Sequence, residues 1–203
     1  VNIVIAGKTG VGKSTLVNAV FQGNLAETGD GRPVTKTTRE IKKDGIPLSI
    51  FDTRGLEVSE YRNTVRELEK LIQDRNKSED PNQHIHIAWV CVMEGSRRVE
   101  DAEIKLVEML DKYIPVVGVI LKSMSDNGFR ETVQELLPQT RNVVRVLAKE
   151  MEFDGGHTIS AMGLENLVEL TMTLVPETQR DALSAAQKVS IKHKRQRAHA
   201  VVV

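Results

Sequence analysis

Residues 7–14 have the sequence Gly-Lys-Thr-Gly-Val-Gly-Lys-Ser, and this stretch decides the fold class of the chain. The glycines allow the backbone to curl until its amide groups point at phosphate oxygens. In this Walker A pattern Lys13 reaches the β- and γ-phosphates, and the hydroxyl of Ser14 is a ligand for Mg²⁺. The apolar run Val1 to Ala6 precedes the loop, and a helix-like stretch begins at Ser14. The order of buried strand, glycine-rich loop and helix predicts a phosphate-binding loop.

Strand-like and helix-like segments alternate along the rest of the chain. The hydrophobic periodicity predicts strands at 46–51, 85–93, 116–121 and 143–147, and helices at 14–21, 61–72, 104–110, 129–137 and 164–175. A hairpin around Asp44-Gly45, from Arg39 to Phe51, adds one antiparallel strand. We therefore expect the α/β fold of the P-loop NTPases, a mainly parallel six-stranded sheet with helices on both faces, plus a C-terminal helix.

Composition and length narrow the class of protein further. The 203 residues are 40% hydrophobic and 28% charged, an ordinary globular balance. Equal numbers of basic and acidic residues give no sign of a polyanionic partner. The single cysteine, Cys91, excludes an internal disulfide and favours a reducing, cytoplasmic compartment. No signal peptide and no apolar run of membrane-spanning length are present in the sequence.

The chain divides at Pro176. Residues 1–175 form one expected domain, and residues 176–203 are expected to be a charged helix or linker. Because the chain begins inside an apolar run and ends in Val201-Val202-Val203, we expect the natural protein to be longer.

A second motif, Asp52-Thr53-Arg54-Gly55, follows the apolar strand at 46–51. A carboxylate that leaves a strand beside a phosphate loop can hold Mg²⁺ through water. The amide of Gly55 can then donate a hydrogen bond to the γ-phosphate. Asp52 is therefore a predicted metal-binding residue, and Gly55 a predicted catalytic one.

The threonine-rich loop from Pro33 to Arg39 lies between these motifs. A threonine just before a strand can supply a second hydroxyl ligand to Mg²⁺, and Thr38 is preferred over Thr37 for this role. The predicted metal ligands are thus Ser14, Thr38 and Asp52, and the predicted catalytic residues are Lys13, Thr38 and Gly55.

These three motifs, in this order and spacing, resemble those of the translation-factor-related GTPases. Thr37-Thr38-Arg39 is similar to the Era-like branch, and residues 7–18 also resemble immunity-related and septin-type G domains. The resemblance implies Mg²⁺-dependent hydrolysis of GTP to GDP and phosphate, used as a switch. It also implies switch regions around Thr38 and at Asp52–Tyr61. The implied phosphate-binding residues are Lys8, Thr9, Gly10, Val11, Gly12, Lys13, Ser14 and Thr15.

The guanine-reading motif of that family, Asn/Thr-Lys-x-Asp, is only partly present. Its place after the 116–121 strand is taken by Leu121-Lys122-Ser123-Met124. Lys122 can pack along the base, but Met124 stands at the position of the aspartate. Asp126 is the alternative reader of guanine, or else it caps the following helix.

The family's fifth motif, Ser-Ala-Lys, offers a backbone amide to the guanine oxygen. Ala148-Lys149 matches it by position, while Ser160-Ala161 matches it better by sequence. Both alternatives stay open, with Ala148 preferred. The predicted guanine-binding residues are Lys122, Ser123, Asp126, Ala148 and Lys149.

Two departures from the family bear on the mechanism. Leu56 stands where Ras-type enzymes have a glutamine that orients water, so slow intrinsic hydrolysis is expected. Help could come from Arg54, from a second copy across the nucleotide face or from an activating protein. Gly10 stands where potassium-activated relatives have asparagine, so potassium dependence is not expected.

The remaining candidates are weaker. His84, His86 and Cys91 do not match a zinc pattern. The basic tail predicts either a solvated linker helix or a helix that lies at a membrane surface or a nucleic acid. The tail also resembles a segment that precedes a hydrophobic domain in bacterial GTPases. This resemblance implies membrane association of the full-length protein. The basic residues of the tail are Lys188, Lys192, Lys194, Arg195 and Arg197. The alternative functions are a nucleotide sensor with little hydrolysis, a P-loop NTPase without strict guanine specificity, and a P-loop kinase.

Overall fold

The computed structural model describes residues 1–22, 32–56, 61–177 and 179–180. Its strands are β1 (Asn2–Gly7), β2 (Arg32–Pro33), β3 (Thr38–Lys42), β4 (Ser49–Thr53), β5 (Ile87–Met93), β6 (Val116–Leu121), β7 (Val143–Val146), β8 (Met151–Phe153) and β9 (His157–Ile159). Its helices are α1 (Lys13–Phe21), α2 (Tyr61–Asn76), α3 (Asp101–Leu110), α4 (Phe129–Leu136) and α5 (Leu164–Leu174).

The main sheet has seven strands in the order β2-β3-β4-β1-β5-β6-β7. Neighbours from β4 to β7 pair in parallel, while β3 pairs antiparallel with β4 and β2 antiparallel with β3. The predicted six-stranded, mainly parallel sheet is thereby confirmed. The sheet gains β2, a two-residue strand in a segment that the sequence predicted as loop. Two residues are too short to show a period of alternation.

Each face of the sheet carries its own hydrophobic layer. On one face, α2, α3 and α4 pack over residues such as Val4, Phe51 and Val90. On the other face, α1 and α5 pack over Ile5 and Trp89 among others. Parallel strands covered on both faces are near-continuous apolar runs, and every residue of β1 and β6 is buried, including the polar Asn2 at the start of β1.

A small hairpin interrupts the chain between β7 and α5. Strands β8 and β9 pair antiparallel, and Gly155 and Gly156 form the turn with positive φ angles. The sequence predicted no strand at residues 151–159. The strands have three residues each and are largely exposed, so neither length nor apolar alternation marks them.

Of the predicted charged helix or linker at 176–203, the structure describes only residues 176, 177, 179 and 180. The basic side chains from Lys188 to Arg197 lie outside the described residues. The division of the chain at Pro176 stays a prediction. Within the described residues, no helix is both long enough and apolar enough to cross a membrane.

Candidate nucleotide-binding site

The phosphate loop connects β1 to α1, as its sequence predicts. Gly10 and Gly12 have φ angles of 80° and 113°, which residues with a Cβ atom rarely adopt. The Lys13 ammonium is buried and donates to the carbonyl oxygens of Gly7 at 2.7 Å and Lys8 at 3.0 Å. The Lys13 side chain therefore lies inside the loop and bonds to its first two residues. It is at the N-terminal end of α1, and helix N-termini bind anions. Ser14 and Thr15 belong to the first turn of the same helix.

The loop after β6 is attached to the phosphate loop by Lys122. Its ammonium donates to the carbonyl oxygen of Gly10 at 2.8 Å, and its own backbone has a left-handed φ of 54°. The neighbouring Ser123 is fully buried, where its amide donates to Val146 and its hydroxyl to Ile120. These contacts place the predicted base-binding loop directly beside the phosphate loop.

The loop after β4 lies against the phosphate loop from the other side. A Cβ added to Gly55 would lie only 2.6 Å from the backbone nitrogen of Thr9. The amide of Leu56 donates to the Gly7 carbonyl oxygen at 3.4 Å, and its side chain is buried in the core with Phe51. The side chain of Leu56 is therefore part of the hydrophobic core. This burial agrees with the expectation that it does not orient water.

A further contact joins the phosphate loop to α3. Lys8 forms an ion pair with Glu100, the residue that caps α3. The hydrogen bond from Lys8 holds the pKa of the Glu100 carboxyl below its usual value. The sequence predicted Lys8 only as part of the phosphate site.

Among the described residues, four buried side-chain oxygen atoms have no hydrogen-bond partner. Two of them, Oδ1 of Asp52 and Oγ1 of Thr38, belong to residues of this site. The other carboxylate oxygen of Asp52 accepts from Arg39 Nε at 3.2 Å and Nη2 at 3.1 Å. Burial raises the pKa of the Asp52 carboxyl above its usual value, against the opposing charges of Lys13 and Arg39. Both residues line one cleft, and a carboxylate and a hydroxyl are oxygen ligands of the kind that a hard divalent cation such as Mg²⁺ prefers.

The structure does not bring all three predicted metal ligands together. Pairing sets Thr38 opposite Thr53 and Arg39 opposite Asp52. Because successive side chains of a strand point to opposite faces, those of Thr38 and Asp52 lie on different faces of the sheet. Thr37, the alternative ligand, donates its hydroxyl to Glu67 of α2 at 2.7 Å.

The base-binding loop is anchored by Glu94, a residue that no motif in the sequence marks. Oε2 of this side chain accepts from the amides of Met124 at 2.5 Å and Ser125 at 2.7 Å. Its Oε1 accepts from Arg145 Nε at 3.0 Å and Nη2 at 2.7 Å. Burial alone would raise the pKa of Glu94, but these hydrogen bonds lower it on balance. Glu94 is therefore a charged, buried support for residues 124 and 125.

Asp126 makes the contacts of a helix cap. Its Oδ1 accepts from the amide of Arg130 at 2.9 Å and lies 3.6 Å from Arg145 Nε. Arg97 donates to the carbonyl oxygens of Ser125 and Asp126. The capping alternative is thus what these contacts show, and guanine reading by Asp126 stays a prediction.

The two candidates for the fifth motif lie at one place. Leu147 and Met162 exchange two backbone hydrogen bonds of 3.0 Å, so Ala148 and Ala161 flank the same bridge. The β8–β9 hairpin is inserted between them. This insertion explains why Ala148 matches the fifth motif by its position after β7, while Ser160-Ala161 matches it better by sequence. Lys149 follows Ala148 and is exposed.

Comparison with known proteins places this site in a family. Residues 2–122, more than half of the chain, match the family model described as 50S ribosome-binding GTPase. The tRNA modification GTPase MnmE of Treponema denticola is 27% identical, over 92% of this chain and 41% of that protein. The MnmE of Clostridioides difficile is 28% identical, over 91% and 40% respectively. The chain thus spans about two fifths of the length of these relatives.

Solved structures show the same fold. The septin GTPase domain of Chlamydomonas reinhardtii superposes with a TM-score of 0.60 at 16% identity, over 95% of this chain and 98% of that one. A probable GTP-binding protein engB gives 0.58 at 17% identity, over 91% and 99% respectively. The family match identifies residues 2–122 as a GTP-binding and GTP-hydrolysing G domain. The chain belongs to the family of 50S ribosome-binding GTPases.

Proposed function

We propose that this domain is a switch of the Era-like branch whose hydrolysis of GTP requires Mg²⁺. The observation that carries the proposal is the pair of unsatisfied oxygens, Asp52 Oδ1 and Thr38 Oγ1. A buried polar atom without a partner is costly, and the cost is offset when a ligand binds it. The Thr37-Thr38-Arg39 sequence beside these atoms supports the assignment to the Era-like branch.

Each residue of the site has a distinct part in the proposal. The backbone amides of residues 8–15 and the Lys13 ammonium bind the phosphates. Ser14, Thr38 and Asp52 hold the metal, directly or through water. When bound, Mg²⁺ neutralises charge on the β- and γ-phosphate oxygens. The amide of Gly55 donates to the γ-phosphate and so distinguishes GTP from GDP.

Binding of the metal requires a local rearrangement of β3. Thr38 has to leave its pairing with Thr53, because its side chain otherwise lies on the face opposite to Asp52. Arg39 bonds to the other carboxylate oxygen of Asp52, Oδ2, and its positive charge opposes a cation at Oδ1. The segment from Pro33 to Arg39 thereby becomes the part of the chain that responds to the nucleotide.

The group that orients the attacking water is not Leu56 in this proposal, because that side chain is buried in the core. Arg54 is exposed and borders the same cleft as Asp52. Arg54 is therefore a candidate within the chain. A second copy of the chain across the nucleotide face and an activating protein are the candidates outside it. Cytoplasmic location and membrane association through a following segment stay predictions.

The test measures affinity for GTP and GDP in Mg²⁺ and in EDTA. Lys13→Ala is expected to abolish binding of both nucleotides. Thr38→Ala and Asp52→Asn should weaken GTP binding in Mg²⁺ by about tenfold, and much less in EDTA, because one charge-assisted contact is lost. Thr173→Ala, an exposed threonine on α5, is the matched control and should bind like the wild type. An unchanged Mg²⁺ dependence in both variants would refute the metal assignment.

A nucleotide sensor with little hydrolysis is the second candidate. It is favoured by the burial of Leu56 and by the ion pair between Arg39 and Asp52. Single-turnover hydrolysis at high protein concentration separates the two, since it also detects activation by a second copy. A rate equal to that of buffer alone would leave the sensor as the function of this chain by itself.

A further inference from the structure

Among the described residues, the two carboxylates that contact the base-binding loop or belong to it, Glu94 and Asp126, are both engaged in holding that part of the chain. We infer that this site leaves the N1–H and 2-amino groups of guanine unread, so that it accepts 6-oxopurine nucleotides as a class, with inosine triphosphate bound as well as GTP. The inference rests on the proposed nucleotide site and specifies which part of the base that site recognises.

Met124 stands where a base-reading carboxylate would be required. Lys122, two residues earlier, bonds to the Gly10 carbonyl oxygen, and the fully buried Ser123 lies between the two residues in the chain. The side chain of Met124 is 43% exposed, and its thioether is only a weak acceptor. It offers the base an apolar contact and no strong partner for a donor.

Asp126 is turned towards α4 and β7. Its carboxylate accepts from the amide of Arg130 in α4 and lies beside Arg145 of β7. Arg97 holds the carbonyl oxygens of Ser125 and Asp126, and the left-handed backbone of Asn127 follows immediately. To reach a base beside Lys122, the Asp126 carboxylate would have to give up the helix cap and its place next to Arg145.

Glu94 cannot read the base in place of Asp126. The residue is only 3% exposed, and both of its carboxylate oxygens already accept hydrogen bonds, from two amides of the loop and from Arg145. Its contacts also use the amides of Met124 and Ser125, so these cannot donate to the base. The loop is held by these bonds, and neither Glu94 nor Asp126 is presented to a purine.

The chemical consequence follows from which atoms differ between the bases. Guanine and hypoxanthine both have a 6-oxo group and an N1–H group, and only guanine has the 2-amino group. A backbone amide beside the Leu147–Met162 bridge, that of Ala148 or Ala161, can donate to the 6-oxo group of either base. Adenine has a 6-amino donor at this place and would oppose another donor there. The expected order of affinity is GTP, ITP and XTP about equal, with ATP weaker.

The experiment is calorimetric titration of the full chain with GTP, ITP, XTP and ATP in Mg²⁺. For the wild type, the dissociation constants of GTP and ITP should agree within about threefold, since no charged acceptor meets the 2-amino group. Asp126→Asn should leave this ratio unchanged. Met124→Asp should favour GTP over ITP by about tenfold or more, because it adds a charged acceptor. Met124→Leu is the matched control and should keep the wild-type ratio.

Two outcomes overturn the inference and leave the proposed function intact. The first is a wild type that prefers GTP to ITP by more than about tenfold, the discrimination expected when a polar group of the base is read. The second is an Asp126→Asn variant that gains affinity for XTP, which would show that Asp126 meets the base. If no nucleotide binds and Lys13→Ala makes no difference, the proposed function itself fails. The wild-type ratio needs no variant, so a folding defect of Asp126→Asn cannot obscure it.

Discussion

Replacement of Gly55 by alanine tests how closely the loop after β4 lies on the phosphate loop. A Cβ at this position would lie 2.6 Å from the backbone nitrogen and 2.9 Å from the Cα of Thr9, and would overlap the Thr9 side-chain oxygen. The exposed side chain of Thr9 can rotate away. Its backbone cannot move without displacing the phosphate loop. The substitution therefore forces two loops apart.

The expected cost is about 1–3 kcal/mol in the free energy of unfolding, the range found when a close-packed contact is overfilled. Separation of the loops also strains the bond from the Leu56 amide to Gly7, which is already 3.4 Å long. Gly95→Ala is the matched control, because a Cβ on Gly95 would meet nothing within 4 Å. A surface substitution of this kind should change stability by no more than about 0.5 kcal/mol.

The assay is urea denaturation followed by the fluorescence of Trp89, the single tryptophan of the chain. Titration with GTP and GDP completes it. Gly55→Ala should weaken GTP binding more than GDP binding, because the Gly55 amide is assigned to the γ-phosphate. Equal stability of Gly55→Ala and Gly95→Ala would refute the close contact. Equal loss of GTP and GDP affinity would refute the role of Gly55 in distinguishing them.

Two further predictions concern stability alone. Thr171→Val should lower the free energy of unfolding by about 1–3 kcal/mol, because the buried Trp89 indole donates to Thr171 Oγ1 at 3.0 Å. Thr173→Val on the same helix is the control and should change it little. Burial lowers the pKa of His86 from 6.5 to about 4. Between these pH values the unfolded chain binds a proton that the folded chain does not. The free energy of unfolding should therefore decrease as the pH falls, by at most about 3 kcal/mol. Denaturation between pH 4 and 7 should show a shallower fall in His86→Asn, and parallel curves would contradict the assignment.

The long strands and helices of the fold could be predicted from the sequence, because their hydrophobic residues recur with a regular period. The run Val116 to Leu121 is apolar throughout, and the structure has β6 over these same residues. The structure also has α4 at Phe129–Leu136, one residue shorter than predicted. The hairpin β8–β9 was missed because its three-residue strands leave most side chains in solvent. Such strands are held by backbone pairing, which leaves no mark on hydrophobic periodicity.

The site divides in the same way between local and distant interactions. Lys13 and Gly12 were predictable because the geometry of the phosphate loop is encoded in consecutive residues. The support of the base loop was not predictable, since Glu94 and Arg145 are 51 residues apart and meet only in the folded sheet. The ion pair of Arg39 with Asp52 depends on the pairing of β3 with β4. Both residues belong to motifs that the sequence displays, but the register that sets them opposite each other exists only in the folded sheet.

The contacts of the phosphate loop indicate which segments respond to a ligand. Lys122, Leu56 and Glu100 each bond to this loop from a different side, and two of the three contacts are to its backbone carbonyl oxygens. A loop braced from several sides is unsuited to large movement. Thr38, in contrast, has a buried hydroxyl without a partner, and it precedes Arg39, whose ion pair with Asp52 competes with a cation. The free energy of nucleotide and metal binding is therefore expected to drive rearrangement at the start of β3, while the phosphate loop stays as the fixed reference against which β3 moves.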